Sequence, residues 1–493
     1  MRNKKFVSLL DQIKRYNPQA NFALIEKAYR FAAQIHRGQK RLSGDSFISH
    51  PLAVAQALAE WSLDSASIVA GLLHDTIEDG GAKPRTIEKK FGEYIVILVD
   101  GVTKIGEIKL RGSKEEKFVE NLRKMIVVMA KDLRVVLIKL ADRYHNMQTL
   151  SSLPLEKQKR IARETLEIYA PLAERLGIGG MKEKLEDLAF PYVYPKEYRW
   201  LKKYAASYYK ETSEYIKRLK RKVLKSLAEK GIRAQVNGRA KHFYSLYQKL
   251  CRPEIDKDIS KIYDLMALRI IVDIVDQCYA ALDVVHKLYK PVPVKGVRDF
   301  IARPKPNGYR SIHTTVFGPG ERIIEIQIRT QKMHEQAENG IAAHWYFSKQ
   351  KGKRVKDSQV EAGFFVPTSK MAWVRELMKW QKEISDSKEF IDSLKFDALR
   401  HRNFIFSPKG DVFDLPAGAT PIDFAYAVHT ELGDSCGGAK VDGKLVHLDY
   451  QFKSGQIVEI VKTKQRKGPS RDWLNFVITR RAKNKIAKHF RKS

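Results

Sequence analysis

The stretch "SASIVAGLLHDTIEDG", residues 65–80, begins as an almost unbroken apolar run and ends in His74, Asp75, Glu78 and Asp79. An apolar run of this kind belongs against a core. Ionisable groups at the end of such a run are costly to bury unless paired or coordinated. Either they turn to solvent, or something charged, such as a metal or a phosphate, sits against them.

Companions elsewhere in the chain bear on that choice. His50 opens the helical pattern "SHPLAVAQALAEW", and Asp142 ends the apolar run "VVLIKLAD". His50, His74, Asp75 and Asp142 amount to two imidazoles and two carboxylates drawn from three helices, a donor set suited to Mn²⁺, Fe²⁺ or Zn²⁺. Glu78 lies one helical turn beyond His74, and Asp79 one beyond Asp75. Both suit an outer position or a general base acting on water. Each residue alone is better explained by capping, solvation or a satisfied core position; the four together leave the metal reading and the bland one evenly matched.

Around these residues the chain is that of a soluble globular protein. It has 493 residues, enough for about three domains, with 43% hydrophobic and 10% aromatic residues. The charge is lopsided: 91 Lys and Arg against 57 Asp and Glu, a formal +34. That excess implies a polyanionic partner, whether nucleic acid, nucleotide polyphosphate or acidic membrane surface. Cys251, Cys278 and Cys436 stand far apart without metal-ligand spacing, which fits a reducing compartment. No apolar run approaches the roughly 20 residues of a membrane span, so a cytoplasmic location is expected.

Residues 1–155 read as helix after helix. From 156 the chain stays helical to about 230 and then alternates short β-rich runs with helices, an α+β texture reaching to 348. Residues 349–400 read as a charged linker and a helix. Residues 401–464 are short strands and turns punctuated by Gly and Pro, and 465–493 reads as a basic helix.

The segments "RLSGDSFISHP" (41–51), "AGLLHDTIEDG" (70–80) and "LIKLADRYHNMQTL" (137–150) resemble the metal-binding helices of the HD-type hydrolase domain in long Rel/SpoT stringent-response proteins. Those proteins make and destroy the alarmone (p)ppGpp. The resemblance implies that His50, His74, Asp75 and Asp142 hold Mn²⁺, and that Glu78 and Asp79 handle the attacking water. It also implies that Arg41, Ser43, Asn146 and Thr149 contact the nucleotide. Leu42, Tyr144 and Gln148 depart from the family pattern.

A second constellation lies in the α+β region. Arg239, Lys241 and Lys249 accompany Ser245 in "GRAKHFYSLYQK" (238–249), spacing that suits a triphosphate held by an arginine fork and lysine point charges as well as a solvated basic helix. Asp264 stands just ahead of an expected strand. In "RIIEIQIRT", Glu325, Gln327 and Arg329 alternate with isoleucines. A carboxylate on each of two strands suits Mg²⁺. The loop "RPKPNGYRSIHTTV" (303–316) adds Lys305, Asn307, Tyr309 and His313.

These blocks, with "IYAPLAERLGI" (168–178) and "EIQIRTQKMHEQAENGIAAHW" (325–345), resemble the family's synthetase domain. The resemblance implies that Arg239, Lys241, Ser245 and Lys249 face ATP. Asp264 and Glu325 would hold Mg²⁺, with Glu325 assisting the 3′-hydroxyl. Tyr309 would stack on guanine, with Lys305, Asn307 and His313 around GDP or GTP. At 294–302, "VKGVRDFIA" puts Gly296 where bifunctional members carry arginine, with Lys295 and Arg298 keeping the segment basic.

"FSPKGDVFDLPAGATPIDFAYAVHTELG" (406–433) resembles a TGS domain, whose implied tRNA contact is His429. "PSRDWLNFVITRRAKNKIAKHF" (469–490) resembles the helix that follows it, so ribosome or tRNA contact through this module and the basic tail is implied. The expected architecture is multidomain: an all-α HD-type hydrolase domain, an α+β nucleotidyltransferase-like synthetase domain, and a small β-grasp TGS domain. The expected function is a bifunctional (p)ppGpp synthetase and hydrolase. A hydrolase-dominant enzyme and a non-enzymatic RNA-binding regulator are the alternatives.

Overall fold

The computed structural model describes residues 3–106, 132–340 and 402–492, apart from positions 254, 263–264, 294–295, 306–307, 410, 454 and 464–467. The linker and helix expected at 349–400 lie outside the described residues, as do Asp264, Lys295 and Asn307. The chain divides into two compact units, residues 1–193 with 338–392, and 194–337 with 393–493.

Besides turns and one antiparallel bridge between Lys40 and Ser46, the described part of the first unit is built of helices: α1 (Lys4–Tyr16), α2 (Phe22–Ile35), α3 (Ser49–Glu60), α4 (Ser65–Leu73), α5 (Pro84–Phe91), α6 (Glu93–Gly106), α7 (Leu133–Gln148), α8 (Leu155–Glu164), α9 (Ala170–Arg175) and α10 (Gly179–Val193). α4 is buried at every position from Ala66 to Leu73, as its all-round apolar sequence requires. Asp64 caps it, accepting from the Ser67 amide at 2.7 Å, and Asp132 caps α7 in the same way through the Arg134 amide at 2.9 Å. Arg134, only 1% exposed, donates to both caps, from Nη1 to Asp64 and from Nε to Asp132, each at 3.0 Å. One buried guanidinium thus pins the starts of α4 and α7.

α4 stops at Leu73, before the polar cluster that sequence periodicity would carry along the helix. Residues 74–80 form turns, in which the Asp75 carbonyl accepts from the amides of Asp79 at 2.9 Å and Gly80 at 3.2 Å. At the end of these turns only glycine fits: a Cβ at Gly80 would sit 2.3 Å from the Ile35 side chain and 2.7 Å from the Thr76 carbonyl. The chain passes too close to α2 for any larger residue.

The second unit begins with α11 (Pro195–Tyr204) and the long α12 (Ala206–Glu229). It continues through β1 (Ala234–Ala240), α13 (Phe243–Leu250), β2 (Met266–Val272), α14 (Val275–Leu288), β3 (Arg298–Asp299), β4 (Ile312–Phe317) and β5 (Ile323–Thr330). The strands form one sheet in the order β1-β2-β5-β4-β3, with β2 and β5 parallel and the other pairs antiparallel. Alternation decides its faces. Ile324, Ile326 and Ile328 join Leu268 and Ile270 in a core that includes Val223 and Leu227 of α12 and Val284 of α14. The opposite face is polar.

A smaller module follows: β6 (Arg402–Phe406), β7 (Val412–Pro416), α16 (Pro421–Val428), α17 (Thr430–Asp434), β8 (Cys436–Val441), β9 (Lys444–Val446) and β10 (Val458–Lys462), where α15 denotes Gln331–Asn339 directly after β5. The hairpin β6–β7 and the sheet β10-β8-β9 are bridged by Phe406 and Ile457. Within the basic tail the helix, α18, occupies Arg480–Lys492, and a 3₁₀ turn at Arg471–Asn475 precedes it. Asp423, 1% exposed, ties tail to module. Its carboxylate accepts from the amide and hydroxyl of Thr420, both at 2.9 Å, and from the amide and hydroxyl of Thr479, at 2.8 and 2.7 Å.

Asp423→Ala leaves those donors buried without an acceptor, which costs about 3 kcal/mol. The expected outcome is a lower unfolding midpoint and lost hydrogen-exchange protection in α18, with Asp423→Asn, which keeps one carbonyl oxygen, losing less.

Candidate functional site

Two buried histidines point the same nitrogen at the same carboxylates. His50 starts α3, His74 follows α4 directly, and Asp142 sits in the middle of α7. One ligand atom from each lies within 4.8 Å of the others, and all three residues are buried. His50 Nε2 is 3.2 Å from His74 Nε2, 3.2 Å from Asp142 Oδ1 and 3.4 Å from Asp75 Oδ2. His74 Nε2 is 3.0 Å from Asp75 Oδ1, while its Nδ1 donates to the Gly71 carbonyl at 2.9 Å. That backbone bond keeps a proton on Nδ1, so Nε2 faces the cluster and offers its lone pair there once its own proton leaves.

The electrostatics call for positive charge. Burial opposes ionising both carboxylates, yet His74 holds Asp75 below its ordinary pKa and Lys139 holds Asp142 well below. Burial would likewise lower His74, but Asp75 and then Asp142 outweigh it and raise the imidazole to about 9. His50 goes the other way, lowered by burial that its Asp142 bond only partly offsets. Two carboxylates are therefore held ionised in the protein interior, with two imidazole nitrogens aimed between them. This donor set fits a divalent cation.

The remaining residues of the first constellation surround this cluster. Arg41 Nη2 donates to Asn146 Oδ1 at 2.8 Å, and Asn146 Nδ2 donates to Asp142 Oδ1 at 2.5 Å. Arg41 Nη1 is buried and has no hydrogen-bond partner among the described residues. It is a guanidinium donor left for an anion beside the cluster. Glu78 and Asp79 stand exposed at the rim, and burial plus the nearby Asp75 raise the Asp79 carboxyl. Ser43 is exposed and bonded to Asp45, and Thr149 Oγ1 donates to the His145 carbonyl. Among the described residues neither hydroxyl hydrogen-bonds to the cluster.

Two participants escape the sequence reading. Lys139 Nζ meets Asp142 Oδ2 at 2.9 Å. His145 Nδ1 lies 2.8 Å from His50 Nδ1, and burial, with His50 and Arg41, pushes its pKa down to about 4. Both sit three residues from Asp142, so helical spacing within "KLADRYH" was the available signal.

On the polar face of the sheet, register sets the second constellation in rows. Arg239, Ala267, Glu325 and Thr315 stand opposite one another across four strands, and Asn237, Arg269, Gln327, His313 and Arg298 form the next row. Glu325 Oε1 accepts from Arg298 Nη2 at 2.7 Å and His313 Nδ1 at 2.9 Å. His313 Nε2 in turn accepts from the Tyr309 hydroxyl at 2.8 Å. Burial lowers the His313 pKa despite Glu325, so the ring is neutral with its proton on Nδ1. Lys305 Nζ lies 4.7, 5.0 and 4.6 Å from the ring centres of Phe300, Tyr309 and Phe404. Ser245 and Lys249 share a face of α13, whereas Lys241 lies between β1 and α13, its carbonyl bonded by Tyr209. Gly296 has φ +52°, a conformation in which the arginine of the resemblance would be strained. In the smaller module His429 is exposed and caps α17, accepting from the Glu431 amide at 3.3 Å.

Family models match in three places: the HD domain at residues 28–179, the "region found in RelA / SpoT proteins" at 238–352, and the TGS domain at 403–462. The chain is 48% identical to a GTP pyrophosphokinase of Myxococcus xanthus, over 96% of this chain and 61% of that one. It is 45% identical to the bifunctional (p)ppGpp synthase/hydrolase RelA of Mycobacterium tuberculosis, over 96% and 63%. Against the bifunctional (p)ppGpp synthase/hydrolase SpoT of Escherichia coli it is 44% identical, over 98% and 66%. The chain thus spans about three fifths of the length of these curated relatives.

Lys139→Met strips the buried Asp142 of its cation, a loss worth about 3 kcal/mol. Chemical denaturation is expected to show that loss, and millimolar Mn²⁺ to recover part of it.

Proposed function

Because the chain belongs to the RelA/SpoT family, we propose that it both makes and removes the 3′-pyrophosphate of (p)ppGpp, at two separate sites. The observation that carries the hydrolase half is the convergence of His50 Nε2, His74 Nε2 and Asp142 Oδ1 within 4.8 Å in a buried pocket of charge. His50, His74, Asp75 and Asp142 would hold Mn²⁺, which supplies Lewis-acid charge when bound. Arg41, through its unpartnered buried nitrogen, binds a phosphate of the substrate, and Asn146 holds Arg41 in register with Asp142. Asp79, with its raised pKa, and Glu78 take the proton from the attacking water. That water replaces the nucleoside 3′-oxygen on phosphorus, giving GDP or GTP and pyrophosphate.

In the synthetase half, Asp264 and Glu325 would hold Mg²⁺, while Arg239, Lys241, Ser245 and Lys249 face ATP. Tyr309 stacks on guanine, and Lys305, Asn307 and His313 complete the GDP or GTP site. The 3′-hydroxyl attacks the β-phosphorus of ATP and AMP leaves, so the β,γ-pyrophosphoryl moves as a unit. Its proton passes toward Glu325. Because the moving group is highly charged, positioning and electrostatics dominate the barrier.

One observation favours hydrolysis as the stronger activity. Glu325 Oε1 is engaged by both Arg298 and His313, so Mg²⁺ would share this carboxylate with a guanidinium. Contact with ribosome or tRNA through the TGS module, His429 and the basic tail is supported by charge and module type. Among the described residues no helix is long and apolar enough to cross a membrane.

The test is to incubate the protein with ATP, GDP and Mg²⁺, and separately with ppGpp and Mn²⁺, and resolve the nucleotides by ion exchange. Asp142→Ala is expected to abolish hydrolysis and spare synthesis. Failure of both reactions in the wild type, with RNA binding that falls steeply with salt, would instead mark an RNA-binding regulator. Tyr309→Ala is expected to raise the KM for GDP about tenfold, the loss of about 1.4 kcal/mol of base stacking, with ppGpp hydrolysis unchanged.

A further inference from the structure

α7 brings two groups to one place. Asp142 enters the cluster through Oδ1, and His145, three residues later on the same helical face, meets His50 from behind. The two Nδ1 atoms are 2.8 Å apart and the ring centres 4.9 Å. Imidazole nitrogens at that distance share one proton, so one donates and the other accepts. His50 Nε2 is the atom that faces His74 and Asp142, each at 3.2 Å. To offer that lone pair to a cation, His50 must carry its proton on Nδ1. His145 Nδ1 is then the acceptor, and its own proton sits on Nε2. His74 meets the same requirement through the Gly71 carbonyl. Each cluster histidine thus has its outer nitrogen held separately, but only His50 is held by a side chain.

We infer that His145 is a positioning residue, fixing His50 in the Nδ1–H tautomer with Nε2 turned into the centre. This rests on the reading of the cluster as a metal centre. A neutral imidazole orients its neighbour without adding charge to a centre that already holds two carboxylates. A carboxylate acceptor, the partner such histidines often have, would add a third negative charge beside the two already present.

The test follows Mn²⁺ binding to the full chain by the paramagnetic resonance of the free ion, counting only the site that His74→Ala removes. His145→Phe keeps a ring but no acceptor, and the Mn²⁺ Kd is expected to rise about 10- to 100-fold. His145→Asn returns an oxygen near the lost Nδ1 and is expected to restore affinity to within a few-fold of wild type. Phe binding as tightly as wild type overturns the inference, and so does Asn binding as weakly as Phe. Independently of any variant, long-range ¹H–¹⁵N spectra of histidine-labelled, Zn²⁺-loaded protein should show His145 protonated on Nε2; protonation on Nδ1 refutes the role. If His74→Ala removes no Mn²⁺ site from the wild type, the metal centre itself falls, a result distinct from the failure of His145 alone.

Discussion

The constraint on which the helical unit depends is the ionised Asp142 carboxylate, 5% exposed within an apolar helix. An isolated buried charge costs many kcal/mol, and the lysine, amide and imidazole neighbours here reduce that cost. Lys139 meets one oxygen, Asn146 the other, and two imidazoles face it from α3 and the end of α4. Arg134 pins the starts of α4 and α7, so the residues at the far end of α4 and along α7 meet in one geometry. Packing and charge compensation are one arrangement, and the site is its product.

The sheet of the second unit follows a different rule. Its isoleucine face is covered by α12 and α14, which leaves the opposite face free to carry Glu325, Gln327 and Arg329. Antiparallel β4 then sets His313 against Gln327 and brings its ring to Glu325. Lys305, the cation expected near guanine, is enclosed by Phe300 and Tyr309 and by Phe404 of β6. The smaller module therefore shares a contact with the segment that carries Lys305, and any motion of β6 changes the surroundings of that lysine.

Much of the site was legible because the residues are chemically conspicuous. Aspartate after "VVLIKLA" and histidine after "IVAGLL" stand where apolar residues belong, so burial cost made them visible before any coordinates. The turn at 74–80 was not legible, since the limit there is the distance from Gly80 to Ile35 on another helix. Lys139 and His145 were missed for a similar reason. Lysine and histidine at a helix surface are ordinary, and only packing shows that this surface is interior.

By itself the sequence pointed to helical, α+β and short-stranded textures, the alternation that gives β5 one polar face, and the donors available for a cation. These follow from periodicity and residue chemistry, which are local. The tertiary structure alone decided which nitrogen of each histidine faces the carboxylates, that Asp142 is compensated by Lys139, and that Glu325 is shared by Arg298 and His313. Each of these joins groups on different elements, or decides whether a helix face meets solvent or protein. Distance across the fold, not spacing along the chain, sets them.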